Sequence, residues 1–127
     1  MIGKIRSSSR LFATLFALFV GFSSQQVLAH AHLKVQTPAA DATVSPAPQA
    51  LTLSFSEGIE PGFSKVKLTG PDNQVVKTGK LQLDAKDNAK ATIALTQPLA
   101  AGKYLVDWHV VSVDGHKTKG QYSFTVK

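Results

Sequence analysis

Apolar and polar residues alternate with a period of two along much of the chain after residue 50. Such alternation puts every second side chain on one face of a strand and predicts strands buried on one face only. Six runs carry the pattern, with apolar members at Leu51, Leu53 and Phe55; Val66 and Leu68; Leu81 and Leu83; Ile93 and Leu95; Tyr104, Val106, Trp108 and Val110; and Tyr122, Phe124 and Val126. No stretch of residues 30–127 has a convincing helical period, so the pattern predicts an all-β domain.

Turn-forming residues separate these runs, and short strands at this spacing indicate an antiparallel sandwich or barrel. They lie at Pro61-Gly62, Gly70-Pro71-Asp72-Asn73, Gly79, Asp87-Asn88, Gly102 and Asp114-Gly115. Tyr104 follows Gly102 at the start of a strand, which is the pattern of a tyrosine corner, although a Tyr that only packs would give the same spacing. Trp108 lies on the same strand face and is predicted to be a large core residue. Together they favour a Greek-key, immunoglobulin-like sandwich over a closed barrel.

Residues 1–29 differ from the rest of the chain and have the three parts of an export signal. They contain Lys4, Arg6 and Arg10 without any acid, then an apolar run at 11–22 and small-residue cleavage chemistry at 27–29. The apolar run is shorter than the roughly 20 residues that cross a bilayer, which disfavours the alternative of an uncleaved anchor. We predict that residues 1–29 are a cleaved signal peptide. A single domain, 30–127, would then begin at His30 in the periplasm and would not span the membrane.

The composition excludes several kinds of site. The chain has no Cys, and residues 30–127 have no Met and no Arg. A disulfide scaffold, a thiolate zinc site and a Cys nucleophile are therefore excluded. The formal charge of +6 falls to +3 without residues 1–29, and the remaining Lys are scattered. Nucleic acid is therefore not an expected partner.

Three of the four His residues lie where side chains do not usually serve packing: His30, His32 and His116. A mature N-terminal His30 could chelate a metal through its α-amine and ring Nδ1, and the amine loses its proton readily near neutral pH. His116 and Asp114 would complete a nitrogen and oxygen set that suits Cu(II). Plainer explanations exist, since Asp114 begins a common hairpin-turn pair and the first residues of a domain often fray. His109 alternates with Trp108 and is predicted to face away from the core, toward solvent or a partner.

A second binding mode is open to the same N-terminus. Any free chain with His at its third position can wrap Cu(II) in its amine, two deprotonated backbone amides and that third imidazole. His30-Ala31-His32 satisfies this requirement. Such a site needs no fold, so a short peptide would bind as tightly as the domain.

At these residues the chain resembles the CopC family of small periplasmic copper-binding proteins. The matching stretches are HAHL at 30–33, TPA at 37–39, LSFSE at 53–57 and VDWHVVSVDGH at 106–116. The resemblance implies a Greek-key sandwich similar to immunoglobulin and cupredoxin domains. It also implies one Cu(II) ion bound by His30, Asp114 and His116, with Glu57 associated with the site and His32 as an extra or competing ligand.

One feature departs from the family pattern. Some CopC proteins carry a Met-rich loop for Cu(I), whereas the corresponding residues 68–74 contain no Met, so soft Cu(I) would lack thioether ligands. We therefore expect a Cu(II)-only carrier or buffer that serves copper homeostasis or resistance. The resemblance implies an inner-membrane partner, a CopD-like copper transporter. The chain is expected to be a monomer or weak dimer.

The rival from another class is a copper-dependent oxidase or polysaccharide monooxygenase, which also uses an N-terminal His on a sandwich fold. Such enzymes need an open copper position and a broad aromatic or polar face. The aromatic residues that would supply that face, Tyr104, Trp108 and Tyr122, are assigned to the core. Ser112, Asp114 and His116 are too close in sequence to form a hydrolytic relay. We expect a binding protein, not an enzyme.

Overall fold

The computed structural model describes residues 30–127, so the predicted signal peptide lies outside the described residues. These residues form strands joined by turns and one short 3-10 turn at Pro61–Phe63. The strands are β1 (Leu33–Thr37), β2 (Thr43–Val44), β3 (Ala50–Phe55), β4 (Lys65–Thr69), β5 (Val75–Val76), β6 (Thr78–Leu83), β7 (Lys90–Leu95), β8 (Gly102–Val111) and β9 (Lys117–Val126). The prediction of an all-β fold is confirmed.

Two sheets face each other and form a sandwich. One has four strands in the order β1-β3-β7-β6, and the other has five in the order β2-β9-β8-β4-β5. Neighbours in a sheet are often distant in sequence, as in a Greek key. The pairs are antiparallel except for β2 and β9, which run parallel. The predicted antiparallel sandwich is therefore confirmed, with one parallel pair at this edge.

The core consists largely of the side chains that alternate in the sequence. Buried apolar residues come from both sheets, and they include Leu51, Leu53, Phe55, Leu68, Ile93, Tyr104, Val106, Trp108, Val110, Tyr122, Phe124 and Val126. Val66, Leu81, Leu83 and Leu95 are half-buried at the margins of this core. The alternating runs thus mark the inner faces of β3, β4 and β6 to β9.

The sequence pattern does not predict β1, β2 or β5, all of which lie at sheet edges. The pairing of β1 with β3 is irregular between Leu33 and Val35, and Val35 is 58% exposed. A bulge of this kind breaks the period of two, because an extra residue turns the following side chains to the other face. The other two strands have only two residues each, too few to show a period.

The tyrosine corner is present at the start of β8. The Tyr104 hydroxyl donates a hydrogen bond of 2.7 Å to the carbonyl oxygen of Ala100. The Tyr104 ring is buried and stacks on Phe124 with ring centroids 5.5 Å apart. The prediction made from Gly102 and Tyr104 is therefore confirmed.

Trp108 is a buried core residue, as predicted. It meets Phe55 edge to face with ring centroids 5.3 Å apart. Gly120 stands opposite Trp108 on β9, and a Cβ atom there would lie 2.5 Å from the indole. The absence of a side chain at Gly120 therefore gives the indole its place between the sheets.

Strands β8 and β9 form a long hairpin that connects two ends of the domain. Each has ten residues, so β8 is about 30 Å long. The tyrosine corner lies at its start, and the loop at residues 112–116 follows its end. Among residues 30–127 no helix is long and apolar enough to cross a membrane.

Candidate metal centre

The loop between β8 and β9 is a tight turn fixed by its own backbone. The Ser112 N–H donates to the His116 carbonyl oxygen at 2.8 Å, and the Gly115 N–H donates to the Ser112 carbonyl oxygen at 2.8 Å. Gly115 has a φ of +89°, a conformation that glycine adopts without a steric penalty. Asp114-Gly115 therefore serves the turn, as the plainer explanation proposes. The same turn brings Asp114 and His116 side by side.

The Asp114 carboxylate is bonded on both oxygens within this loop. Its Oδ2 lies 3.0 Å from Nδ1 of His116, while its Oδ1 accepts a short hydrogen bond from the hydroxyl of Ser112. The Ser112 hydrogen bond is the largest cause that holds the pKa of Asp114 below its usual value, and His116 adds to it. Ser112 is fully buried, and its Oγ also accepts the His116 backbone N–H at 3.2 Å.

The contact with Asp114 determines which nitrogen of the His116 ring is left for a ligand. Its Nδ1 faces a carboxylate, which leaves Nε2 as the nitrogen available to a ligand. A carboxylate on the second nitrogen is the usual companion of a metal-bound His, because it orients the ring and raises its basicity. The His116 side chain is half exposed, so the ring lies at the surface of the domain.

The fold brings His30 against His116 despite their distance in sequence. The two ring centroids are 4.8 Å apart, and the rings meet edge to face at 83°. The intervening chain is held in place at Ala31, which is buried and whose carbonyl oxygen accepts a 2.8 Å hydrogen bond from Oγ1 of Thr118. Thr118 lies at the start of β9, two residues after His116, so the segment that bears one imidazole also anchors the backbone beside the other.

A second anchor comes from Ser56, which follows β3. Its Oγ accepts the His32 N–H at 2.8 Å and donates to the His30 carbonyl oxygen at 3.2 Å. The Ser56 N–H in turn donates to the His32 carbonyl oxygen at 2.8 Å. The backbone of residues 30–32 is therefore bonded to β3 on one side and to β9 on the other.

The remaining candidates lie near the pair or apart from it. The His32 ring lies 6.4 Å from the His30 ring and is exposed. Glu57 directly follows Ser56, but in the described part of the chain its carboxylate makes no hydrogen bond or ion pair with the other candidates. His109 is exposed on β8 between Lys65 and Lys119, so the prediction that it faces solvent is confirmed.

The structure thus provides two adjacent imidazoles and a carboxylate bound to one of them. Within residues 30–127 no three His, Asp or Glu side chains already stand around a common point as metal ligands. His30 and His116 supply nitrogen donors of the kind that Cu(II) prefers, and Asp114 is placed to orient one of them. Metal binding at this pair requires the side chains to adjust, which their exposure permits.

Sequence reasoning missed the three hydroxyl groups that build this end of the domain: Ser56, Ser112 and Thr118. Ser and Thr are common in strands and turns, so nothing in the sequence marks these three. The hydrogen bonds of Ser112 also bear on whether these residues could act as a hydrolytic relay. The Ser112 hydroxyl has Asp114 and the His116 backbone carbonyl as acceptors, and not the His116 ring, so the imidazole is not placed to take the proton of a serine nucleophile.

Comparisons with known proteins agree with the resemblance. A family model described as the CopC domain matches residues 33–127. Protein YobA of Escherichia coli strain K12 is 52% identical over 113 residues, which cover 89% of this chain and 91% of YobA. The crystal structure of PcoC, a methionine-rich copper resistance protein from Escherichia coli, matches with a TM-score of 0.69 and 41% identity, covering 78% of this chain and 100% of PcoC.

A longer relative carries the same domain. The copper transport protein CutJ of Bacillus subtilis is 27% identical over 112 residues. The match covers 88% of this chain but only 21% of CutJ. A domain of this kind therefore also occurs as a small part of a much larger protein.

Proposed function

The chain belongs to the CopC family of copper-binding resistance proteins, and we propose that it is a periplasmic Cu(II) carrier or buffer that holds one ion between His30 and His116. The family comprises binding proteins and not enzymes, in agreement with the sequence prediction. The proposal therefore concerns how the ion is held, in which oxidation state, and to which partner it passes.

One observation carries the proposal: the His30 and His116 rings are in contact at 4.8 Å on the surface of the domain. Packing does not require this pair, because both side chains are exposed. Three hydroxyl groups hold the two segments that bear them. Such support of two exposed imidazoles is what a ligand site needs, since ligands must be held close to their binding geometry.

Removal of residues 1–29 would complete the donor set. His30 would then offer its α-amine beside its ring Nδ1, and His116 would add Nε2. Asp114 stays in the site as the group that orients His116. A direct bond from Asp114 to copper stays a prediction: both carboxylate oxygens already contact a group of this loop, and each keeps a lone pair that a metal ion can use.

The oxidation state follows from the donor atoms. PcoC is a methionine-rich protein, whereas residues 30–127 of this chain contain neither Met nor Cys. Nitrogen and oxygen donors favour Cu(II), while Cu(I) prefers sulfur. We therefore expect one Cu(II) ion per chain and no second site for Cu(I).

The partner we propose is a copper transporter of the inner membrane similar to CopD. CutJ supports this idea, because a domain similar to this chain occupies about a fifth of that copper transport protein. This chain would then be a separate periplasmic copper-binding domain, whereas the similar domain of CutJ is part of a longer chain.

The direct test is a Cu(II) titration of processed protein. The full chain is expressed with residues 1–29, purified from the periplasm, and checked by mass to begin at His30. We expect His116→Ala to lower Cu(II) affinity by about 100-fold or more, since loss of a ligand costs at least as much as loss of its outer partner. His109→Ala is the matched control, because it removes an exposed His from the same hairpin.

His30→Ala needs an additional variant, because that chain still has His at its third position. The titration is therefore repeated with His30→Ala combined with His32→Ala, and this pair is compared with His32→Ala alone. We expect the double variant to lose affinity at least as strongly as His116→Ala. Equal affinity in His30→Ala, His116→Ala and the unchanged protein would refute the proposed site, as would a processed protein that retains residues before His30.

A further inference from the structure

The fold decides between the two copper-binding modes that the first three residues of the processed chain allow. We propose that Ser56 and Thr118 select the mode, by holding the backbone of residues 30–32 so that its amide nitrogens cannot bind copper. Copper is then directed to the pair of His30 and His116. This inference rests on the proposed function, because it concerns the same ion and the same N-terminus.

Binding through the backbone has strict requirements. The α-amine of His30, the amide nitrogens of Ala31 and His32, and the His32 imidazole must lie in one plane around the ion. Both amides must lose their protons to become ligands. The peptide units of residues 30–32 must therefore be free to rotate toward a common centre.

The His32 amide is not free in this sense. Its N–H donates to Oγ of Ser56 at 2.8 Å, and its carbonyl oxygen accepts the Ser56 N–H at 2.8 Å. The Ser56 hydroxyl completes this link by donating to the His30 carbonyl oxygen at 3.2 Å. Copper ligation by the His32 nitrogen would replace the first of these bonds and displace the others.

Ala31 is held from the opposite side. Its carbonyl oxygen accepts the Thr118 hydroxyl at 2.8 Å, and the residue is fully buried in the core. Two residues later, Leu33 begins β1 and pairs with Phe55. Turning the Ala31 and His32 peptide units inward toward a metal would withdraw a buried residue and break the start of β1.

The positions of the imidazole rings support the same conclusion. The His30 ring lies 4.8 Å from the His116 ring but 6.4 Å from the His32 ring. The anchored backbone thus places the His30 imidazole against His116 in the loop at residues 112–116 and keeps the His32 imidazole farther away. This explains how a sequence that begins with a strong peptide motif for Cu(II) can still use a site made by the fold.

The test is spectroscopic. Electron paramagnetic resonance and visible spectra of the Cu(II)-loaded processed protein are compared with those of the peptide His-Ala-His-Leu-Lys, which binds through its backbone. We expect the unchanged protein to differ from the peptide. Ser56→Ala combined with Thr118→Ala should shift the ratio of the two forms about 100-fold toward the peptide spectrum, the factor expected for three hydrogen bonds of ordinary net strength.

Two controls separate this effect from general loosening of the fold. Ser54→Ala combined with Thr125→Ala removes two half-buried hydroxyls from β3 and β9, one of them two residues before Ser56, and should leave the spectrum unchanged. Ser56→Thr with native Thr118 keeps a hydroxyl at both anchors and should retain the spectrum of the unchanged protein. Circular dichroism of each variant confirms that the sandwich is folded.

The outcomes distinguish this inference from the proposed function. If the unchanged protein requires His116 but the Ser56→Ala, Thr118→Ala protein keeps its spectrum, the inference is wrong and the site stands. If the unchanged protein already has the peptide spectrum and does not require His116, the proposed function fails as well. A peptide-like shift in the Ser54→Ala, Thr125→Ala control would also overturn the inference, because the effect would not be specific to the anchors.

Discussion

The two ends of β8 are built by different means. At its start, the Tyr104 hydroxyl reaches Ala100, only four residues away, and the ring stacks on Phe124 inside the core. Beyond its end, the bonds of Ser56 to His30 and His32 span 26 and 24 residues, and that of Thr118 to Ala31 spans 87. The tyrosine corner is formed by residues that are close in sequence, and it rests on buried apolar packing. The candidate metal centre is formed by segments that are far apart in sequence.

Because of this difference, we expect changes at the start of β8 to affect stability and changes beyond its end to affect copper binding. The corner residues are buried and contact the core, so changes there should lower the free energy of unfolding and leave the imidazoles in place. The imidazoles at the other end are exposed, so their loss should affect copper and change stability little. The predictions below test that separation.

The largest expected contrast is between Gly102, the first residue of β8, and Gly115, in the loop that follows the strand. Gly102 has a φ of +141°, and a Cβ there would overlap the ring of Pro71, whereas a Cβ on Gly115 would meet open space. We expect Gly102→Ala to lower the free energy of unfolding by about 2–4 kcal/mol, since strain and overlap add, and Gly115→Ala to lower it by about 1 kcal/mol. Urea unfolding of both variants measures this, and equal losses would contradict the contrast.

The second contrast uses the two buried serines of the described chain, Ser64 and Ser112. Ser112→Ala removes the hydroxyl that supports Asp114 and the His116 backbone, and we expect about 10-fold weaker Cu(II) binding. Ser64 accepts the Val111 N–H at 3.1 Å, close to the same loop but without a bond to the candidate ligands. Ser64→Ala should lower stability and leave Cu(II) affinity unchanged.

Copper titration and urea unfolding of both serine variants separate the two effects. Weaker Cu(II) binding in both would mean that the loop responds to any lost hydroxyl nearby. Unchanged binding in Ser112→Ala would mean that Asp114 orients His116 without its support.

The sequence predicts the structure at the two ends of β8 to different degrees. The corner is predictable because Gly102 and Tyr104 carry a local pattern and because the alternation in β8 and β9 is long. At the other end, the sequence indicates His30, Asp114 and His116 through their unusual positions. It does not predict that Asp114 binds His116, because that contact depends on the turn that Ser112 closes.

The anchors and the edge strands lie beyond sequence reasoning for a related reason. Ser56 and Thr118 bond to residues 30–32 only after β3 and β9 have brought them there. The parallel pairing of β2 with β9 likewise depends on a long-range approach that two residues cannot encode. Local period and turn chemistry predict elements, whereas contacts between distant segments require the fold.

A smaller effect is expected at the corner hydroxyl itself. Tyr104→Phe keeps the buried ring and removes one hydrogen bond, so we expect a loss of about 1 kcal/mol, or about 4–8 °C in melting temperature. Cu(II) affinity should stay unchanged, because the corner lies about 30 Å along β8 from the loop. A change in affinity of 10-fold would show that the two ends are coupled.

The smallest effect near neutral pH is expected at Tyr122, the buried tyrosine of β9. Its hydroxyl is buried and, in the part of the chain that the structure describes, has no hydrogen-bond partner. Burial raises the pKa of Tyr122 from its ordinary value of 10 to about 12. Because an unpaired buried hydroxyl is costly, Tyr122→Phe should be neutral or slightly stabilising at pH 8, in contrast to Tyr104→Phe.

Alkaline pH should enlarge that difference in a definite direction. Between pH 10 and about 12 the unfolded chain loses the Tyr122 proton while the folded domain keeps it, so the unchanged protein loses stability as pH rises through this window. Tyr122→Phe lacks this loss, and its stability relative to the unchanged protein should therefore increase from pH 10 to 12. Urea unfolding across this range measures the difference. A difference that stays constant with pH would mean that the hydroxyl ionises equally well in the folded domain and is not isolated in the core.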